Sequence, residues 1–372
     1  MSETETRTSR YGLEAGSPDL RSVGPIAFGP EGILFVADNV GAAIFALDVP
    51  DGEPAADAVA HDVERLDARL AAFLGAGRED VHIRDVAVHP GSGQVYLSVV
   101  RGSGSQATPV LVTVAADGSL ADVSLEDVPF ARMAIDDAPS EDDERLDARV
   151  VPAGEPEGEE LEVRGITLRV AREPLRTTTV TDLAYVDGCL LVAGASNEEF
   201  TSSLRRIPFP FDGAAQTSSL EIFHVSHGKY ETHSPIRSFV SYDHDTSILA
   251  TYTCTPVVQL SLDALEAGAQ AKGRTVAELG AMNTPLDMVS YTRDGEEYLL
   301  VSNSRHPLLK LACRDIDVQE GLTTPTQPIG VPREELPHAG VSRMAAVNGH
   351  VLMLQRDDAG DLHLRSYDTA SL

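Results

Sequence analysis

Three histidines stand in comparable places along this chain. His82, His233 and His338 each precede a charged residue (Asp85, Arg237 and Arg343) by three to five positions. Three neutral imidazoles around one open coordination position are a standard way to hold a catalytic Zn or another first-row ion such as Cu or Fe. His227 lies in the same stretch as His233, FHVSHGKYETHSP, and can replace or support it. His224, three positions earlier, is expected to end a strand, which sends the two side chains to opposite faces. Tyr230 and Glu231 are placed to orient ligands from behind. No HExxH-type signature occurs, so the signal is positional. Histidines that hydrogen-bond loop backbone, or make separate polar contacts, are the competing reading.

Charged residues recur as well. Asp85, Asp182 and Asp287 occupy equivalent places in three copies of a repeated phrase, and Arg237 and Arg343 take nearly the same place in two others. One reading is a ring of carboxylate–guanidinium pairs that locks the structure. The other has Arg237, Arg343 and Arg305 gripping an anionic or carbonyl-bearing substrate, with His306 nearby and an aspartate as base. Oxygen ligands offer a second metal option. Asn39, Asn197, Glu198 and Asn303 fall at strand ends in different repeats, a donor set suited to Ca2+, although Asn is also common where strands turn. Cys254, in YTCTP, is a candidate ligand or nucleophile against the plainer reading of a small buried side chain.

What must position these residues is a phrase that returns six times: an apolar run, a glycine-bearing or polar turn, then a second apolar run ending in a polar cluster. The copies begin at Val23, Ile83, Val180, Ile236, Pro285 and Val341, the later ones about 50–56 residues apart. Each reads as a hairpin, and most are followed by another short alternating stretch such as Ala43–Val49 or Leu308–Ala312. A fixed period of this size predicts an all-β protein of radially repeated sheets, a β-propeller with six blades favoured over seven. Within residues 51–80, Asp62–Leu74 reads as an amphipathic helix with Gly75 and Gly77 as its stop. Residues 124–179 carry the acid-rich runs DDAPSEDDERLD and GEPEGEELE and read as a solvated, partly disordered insertion. The final repeat supplies about three strands, so Glu3–Tyr11 is the expected fourth, closing the ring.

In a propeller the start of each innermost strand and the end of the second share one mouth of the channel. The lead-ins and polar tails carrying the candidate residues therefore gather at one mouth, and the turns at the other. His89, His244 and His350 fall on the turn side and are assigned to folding. If alternate repeats alternate around the ring, His82, His233 and His338 converge on the axis.

Composition narrows the partners. Across 372 residues the formal charge is −29, which argues against nucleic acid or an anionic membrane surface. Lys229, Lys272 and Lys310 are the only lysines among 29 basic residues. Cys189, Cys254 and Cys313 are too few and too scattered for a disulfide framework. With no apolar leader visible, the expected compartment is the cytoplasm.

The turns in FGPEGILFVADN and VHPGSGQVYLS resemble those of NHL-like and six-bladed lactonase-like propellers. In the lactonase-like group a divalent cation on the axis is held by Glu, Asn and Asp from different blades. The resemblance implies Asn197, Glu198 and Asn303 as the nearest counterparts here. SNEEFTSSLRRIPFPF and HGKYETHSPIRSF also look like segments of uncharacterised bacterial propeller proteins. Three functions are therefore expected: a metal-dependent propeller enzyme using His82, His233 and His338, a Ca-dependent lactonase-like hydrolase, or a non-catalytic scaffold holding a protein or peptide at the channel mouth.

Overall fold

Each of the six phrases folds as a hairpin, and each begins a sheet. The computed structural model describes residues 11–50, 61–152, 158–163, 165–253, 256–325 and 329–372. The innermost strands are Ile26–Phe28, Val81–Val88, Asp182–Val186, Ile236–Tyr242, Pro285–Arg293 and Val341–Val347. They head the first to sixth sheets in chain order, and each pairs antiparallel with the strand after it. The six innermost strands touch one another in a closed circuit. This is a β-propeller. The second strands Ile33–Asp38 and Ser247–Tyr252 are buried throughout, and the others are buried over most of their length, as expected of strands packed between neighbouring sheets. With no Trp in the chain, Val, Leu, Ile and Ala fill the space between sheets.

The circuit does not follow chain order. The first sheet has the second on one side and the third on the other, and the second sheet meets the sixth. After completing the second sheet the chain returns, and Val128–Ala134 pairs with Ala43–Asp48 as the fourth strand of the first sheet. Glu14–Gly16 adds to that same sheet outside it. The segment expected to complete the sixth sheet, Glu3–Tyr11, is a different one and is described only at Tyr11. Glu3 and its neighbours up to residue 10 lie outside the described residues. Among the described residues the sixth sheet has three strands, Val341–Val347, His350–Arg356 and Leu362–Asp368, extended by a bridge from Val63 to Leu364.

Val63 leads into the helix Leu66–Leu74, shorter at its start than the sequence suggests. Gly75 stops it in the left-handed conformation, its N–H bonding back to Ala71 O. Of the acid-rich insertion, all but residues 153–157 and 164 is described. Beyond Val128–Ala134 it forms a separate three-stranded sheet of Leu146–Val150, Glu159–Val163 and Ile166–Pro174. We call it the cap. Cys313 opens a short helix, Cys313–Val318, directly after the strand Leu308–Ala312. No described helix is long and apolar enough to cross a membrane.

The cap runs back into the third sheet through Thr178 and Thr179, whose carbonyls press on Gly194. A β-carbon at Gly194 would stand 2.0 Å from Thr179 O and 2.9 Å from Thr178 O, both backbone atoms that cannot swing aside. Gly194→Ala is expected to destabilise the fold by about 1–3 kcal/mol, as overpacking of a fitted core does. Urea unfolding measures this, and an unchanged midpoint would show that the cap exit moves freely.

Candidate functional site: a capped axial cavity

The strand irregularities decide what reaches the axis. Four innermost strands shift register by one residue near their start, between Ile83 and Asp85, Ile236 and Ser238, Pro285 and Asp287, and Val341 and Arg343. Such bulges re-aim side chains. They put Asp85, Ser238, Asp287 and Arg343 at one structural level, with Asp182 alongside, and leave Arg84, Arg237, Leu286 and Ser342 as the extra residues. Arg237 and Arg343 are therefore not equivalents, and Arg237 matches Arg84.

The three aspartates repeat one geometry around the ring. Asp85 Oδ2 accepts from Ile26 N of the first sheet (2.9 Å), and Oδ1 from Val86 N (2.9 Å). Asp182 does the same with Phe239 N (2.7 Å) and Leu183 N (2.8 Å). Asp287 does so with Met344 N (2.6 Å) and Met288 N (2.7 Å). In the observed order these residues stand on alternate sheets, so a pseudo-threefold arrangement exists, but it belongs to aspartates. Each ties its own sheet to the next through a backbone N–H. The expected lock of paired carboxylates and guanidiniums is replaced by carboxylates on amides, with Arg343 Nε 3.9 Å from Asp85 Oδ1.

Burial and mutual repulsion act on these groups. Burial first, then the charge of Asp287, raises the Asp85 carboxyl to about 7, against the opposing pull of Arg343 and the two N–H donors. Burial, then Asp287 and Asp85, holds Asp182 well above the usual carboxylate range. Asp287 is raised by burial and moderated by Arg343. The side chains lie deep in the molecule yet remain reachable: Asp85 is 18% exposed, because it faces a cavity that opens to solvent.

That cavity holds about 870 Å3 and is walled by the innermost strands and the cap together. Cap and ring are joined by Arg237, which bonds Asp147 (2.7 Å) and Thr253 (2.8 Å), and by Val150 N to Thr284 Oγ1 (3.0 Å). Arg176 adds bonds to Asn39 O (3.0 Å) and Val40 O (2.8 Å). From the cap, Glu173 meets Arg149 at 2.6 Å. Burial tends to raise this carboxyl, but Arg149, Arg84 and Arg237 outweigh it and hold it low. Arg343 donates to Arg84 O (2.7 Å) and Leu286 O (3.1 Å) and faces the cavity. A side chamber of about 350 Å3 shares Arg84, Arg149, Leu286 and Arg343 with it and also has His82 and Arg356 in its wall.

The three histidines assigned to the metal do not come together. His82 lines the side chamber, and His233 is exposed, its carbonyl accepting from Thr201 Oγ1 (2.6 Å). His338 packs on Tyr367, ring centroids 4.5 Å apart, and burial lowers its pKa. The reason is the circuit: the second and sixth sheets are neighbours, so the sheets that follow these histidines do not alternate. The oxygen set disperses too. Asn303 is buried, accepting from Asn283 Nδ2 (2.8 Å) and donating to Val301 O (2.9 Å). Asn197 and Glu198 are exposed. Asn39 clamps the third sheet through Val180 N (2.7 Å) and Val180 O (3.0 Å). Arg305 is exposed and donates to Met282 O (3.2 Å), and burial lowers the His306 pKa. Cys254 lies outside the described residues.

His227 has different company from that expected. Gln216–His224 ends in a turn, where His224 O accepts from His227 N (3.1 Å) and Gly228 N (2.9 Å), and Lys229–Glu231 returns beside it. The turn brings the His224 and His227 rings to 4.0 Å. Each Nδ1 lies 2.7 Å from one oxygen of Glu231. Burial pushes the Glu231 carboxyl up, but both imidazoles more than offset this and take it down to about 2. Tyr230 points outward under Lys272, whose Nζ stands 3.4 Å from the ring centroid.

No family model and no curated protein matches the chain. Solved structures do resemble it in fold. One is virginiamycin B lyase from Staphylococcus aureus, at 9% identity over 95% of this chain and 98% of that one, with a TM-score of 0.37. Another is the PQQ-bound aldose sugar dehydrogenase of Streptomyces coelicolor, at 10% identity over 95% and 96%, TM-score 0.37. A third is the Cps50 (Swd1) β-propeller domain of Myceliophteria thermophila, at 11% identity over 94% and 85%, TM-score 0.40. Likeness at this level leaves function to the site.

Proposed function

We propose that the protein is an enzyme acting on a small anionic or carbonyl-bearing substrate enclosed in the axial cavity. One observation carries this reading: the cavity inverts the charge of the chain. The protein bears −29 overall. Yet Arg21, Arg84, Arg149, Arg172, Arg237 and Arg343 line the cavity against four carboxyl groups, three of which have raised pKa values. A volume of this size suits a small molecule. Guanidiniums gathered in a concave site favour a carboxylate or phosphate, and a carboxyl poised near neutrality is suited to proton transfer. In this reading Arg84 and Arg343 hold the anion and Asp85 exchanges the proton. Arg237 serves as a tether, since its nearly buried guanidinium is paired with the Asp147 carboxylate, whereas the Arg343 side chain is 31% exposed and donates to backbone carbonyls. Hydrolysis or elimination at a carbonyl-bearing substrate fits this set.

A thermal-shift screen of small carboxylates, lactones and sugar phosphates, followed by calorimetry on each hit, tests the proposal. At least one compound is expected to bind, with affinity falling at least tenfold in both Arg84→Gln and Arg343→Gln. A screen without a ligand, or a ligand indifferent to both changes, would overturn it.

A further inference from the structure

Among the described residues, His224, His227 and Glu231 are the one group of His, Cys, Asp or Glu whose potential ligand atoms all lie within 4.8 Å of one another. The group belongs to the outer edge of the third sheet and is not part of the wall of the axial cavity. We propose that it is a divalent transition-metal site, with Zn2+ the best fit: His224 Nδ1, His227 Nδ1 and the Glu231 carboxylate are its ligands.

Two imidazoles and one carboxylate are a known donor set for zinc that keeps a coordination position open. The ligands come from one hairpin at positions n, n+3 and n+7, and its register fixes them: Ile222 opposes Glu231, and His224 opposes Lys229. The site is graded from dry to wet. His224 is 3% exposed and Glu231 8%, whereas the His227 side chain is 45% exposed. A metal there would present its open position to solvent on the His227 side.

A second observation lies behind His224. Its Nε2 is buried and makes no hydrogen bond, and Oε2 of the fully buried Glu278 stands 3.9 Å away. A carboxylate behind the far nitrogen of a ligating histidine fixes its tautomer and strengthens its donor atom. At 3.9 Å the pair is too long for a hydrogen bond, so Glu278 favours a proton on Nε2 through its charge alone; ligation would displace the Nδ1 proton that His224 now shares with Glu231. Glu278 lies on the fourth strand of the fourth sheet, so the ion would couple the hairpin edge of one sheet to its neighbour.

The test uses the full chain without a histidine tag, stripped with chelator and then titrated with Zn2+ by calorimetry and with Co2+ by visible absorption. One equivalent of Zn2+ is expected, with Co2+ giving the intense d–d bands of four- or five-coordination. His227→Ala, at an exposed position, is expected to weaken Zn2+ binding at least tenfold with unchanged circular dichroism, and Glu231→Gln to do the same. Absence of stoichiometric binding, or binding untouched by both substitutions, would overturn the site. This result is independent of the anion screen, because the two sites share no residue.

Discussion

Replacing Arg205 with alanine is expected to destabilise the protein by about 3–5 kcal/mol, the usual loss when one partner of a buried ion pair is removed. The Arg205 side chain is 1% exposed. Its Nε donates to Asp137 Oδ1 (2.7 Å), and its two Nη atoms donate to Thr179 O (2.9 Å) and Ala195 O (2.8 Å). Truncation strands a carboxylate and two carbonyls and opens a void, and each of these is unfavourable alone. Arg205→Met restores most of the volume without the donors, so it should recover only the packing part. Because Asp137 precedes the cap and Thr179 follows it, the loss should also loosen the cap. Equilibrium urea unfolding of both variants measures the effect. A loss below about 1 kcal/mol for Arg205→Ala would mean that water replaces the guanidinium at little cost.

The second large effect concerns acidity at the axis. Asp85 titrates near 7 in the folded protein, raised by burial and by Asp287. In the unfolded chain its carboxyl takes the ordinary value near 3.9. The folded state therefore binds the proton more tightly. The stabilisation is fully present below about pH 4 and is lost as pH rises towards 7. About three pH units correspond to roughly 4 kcal/mol at 1.36 kcal/mol per unit. Asp85→Asn removes the titration while leaving an acceptor for one of the two N–H groups. Its stability curve between pH 4 and 8 should be flatter than that of the wild type by this order. Asp182 and Asp287 are shifted the same way, so a slope should remain. Unfolding midpoints at pH 5 and pH 8 decide it, and identical slopes for the two proteins would refute the assignment.

Much of this architecture was legible because it is local. The six hairpins, and the equivalence of Asp85, Asp182 and Asp287, follow from short stretches whose alternation sets one face inward. What escaped was non-local or finer than alternation. Nothing in Val128–Ala134 states that it pairs with Ala43–Asp48 across an intervening sheet, and that return reorders the ring and separates His82, His233 and His338. The cap strand Glu159–Val163 is charged at three of five positions and faces solvent along most of its length, so it offers no apolar stripe to read. Arg237 stands one residue after the start of its phrase and Arg343 two after its own, and the bulge both strands share keeps that offset. Three-residue spacing places His224 and His227 on opposite faces of a strand but side by side across a turn. The visible clue was Gly228, which adopts φ +65° there.

The late return of Val128–Ala134 also bears on how the chain is made. The edge of Ala43–Asp48, almost wholly buried once complete, emerges from the ribosome some 80 residues before its partner. At roughly 5–20 residues per second, that leaves an apolar strand unpaired for several seconds. During that interval the nascent chain is open to pairing with its neighbours on a polysome. Vectorial synthesis therefore exposes this protein at its first sheet, and the second sheet must be threaded out and left behind before that hazard ends.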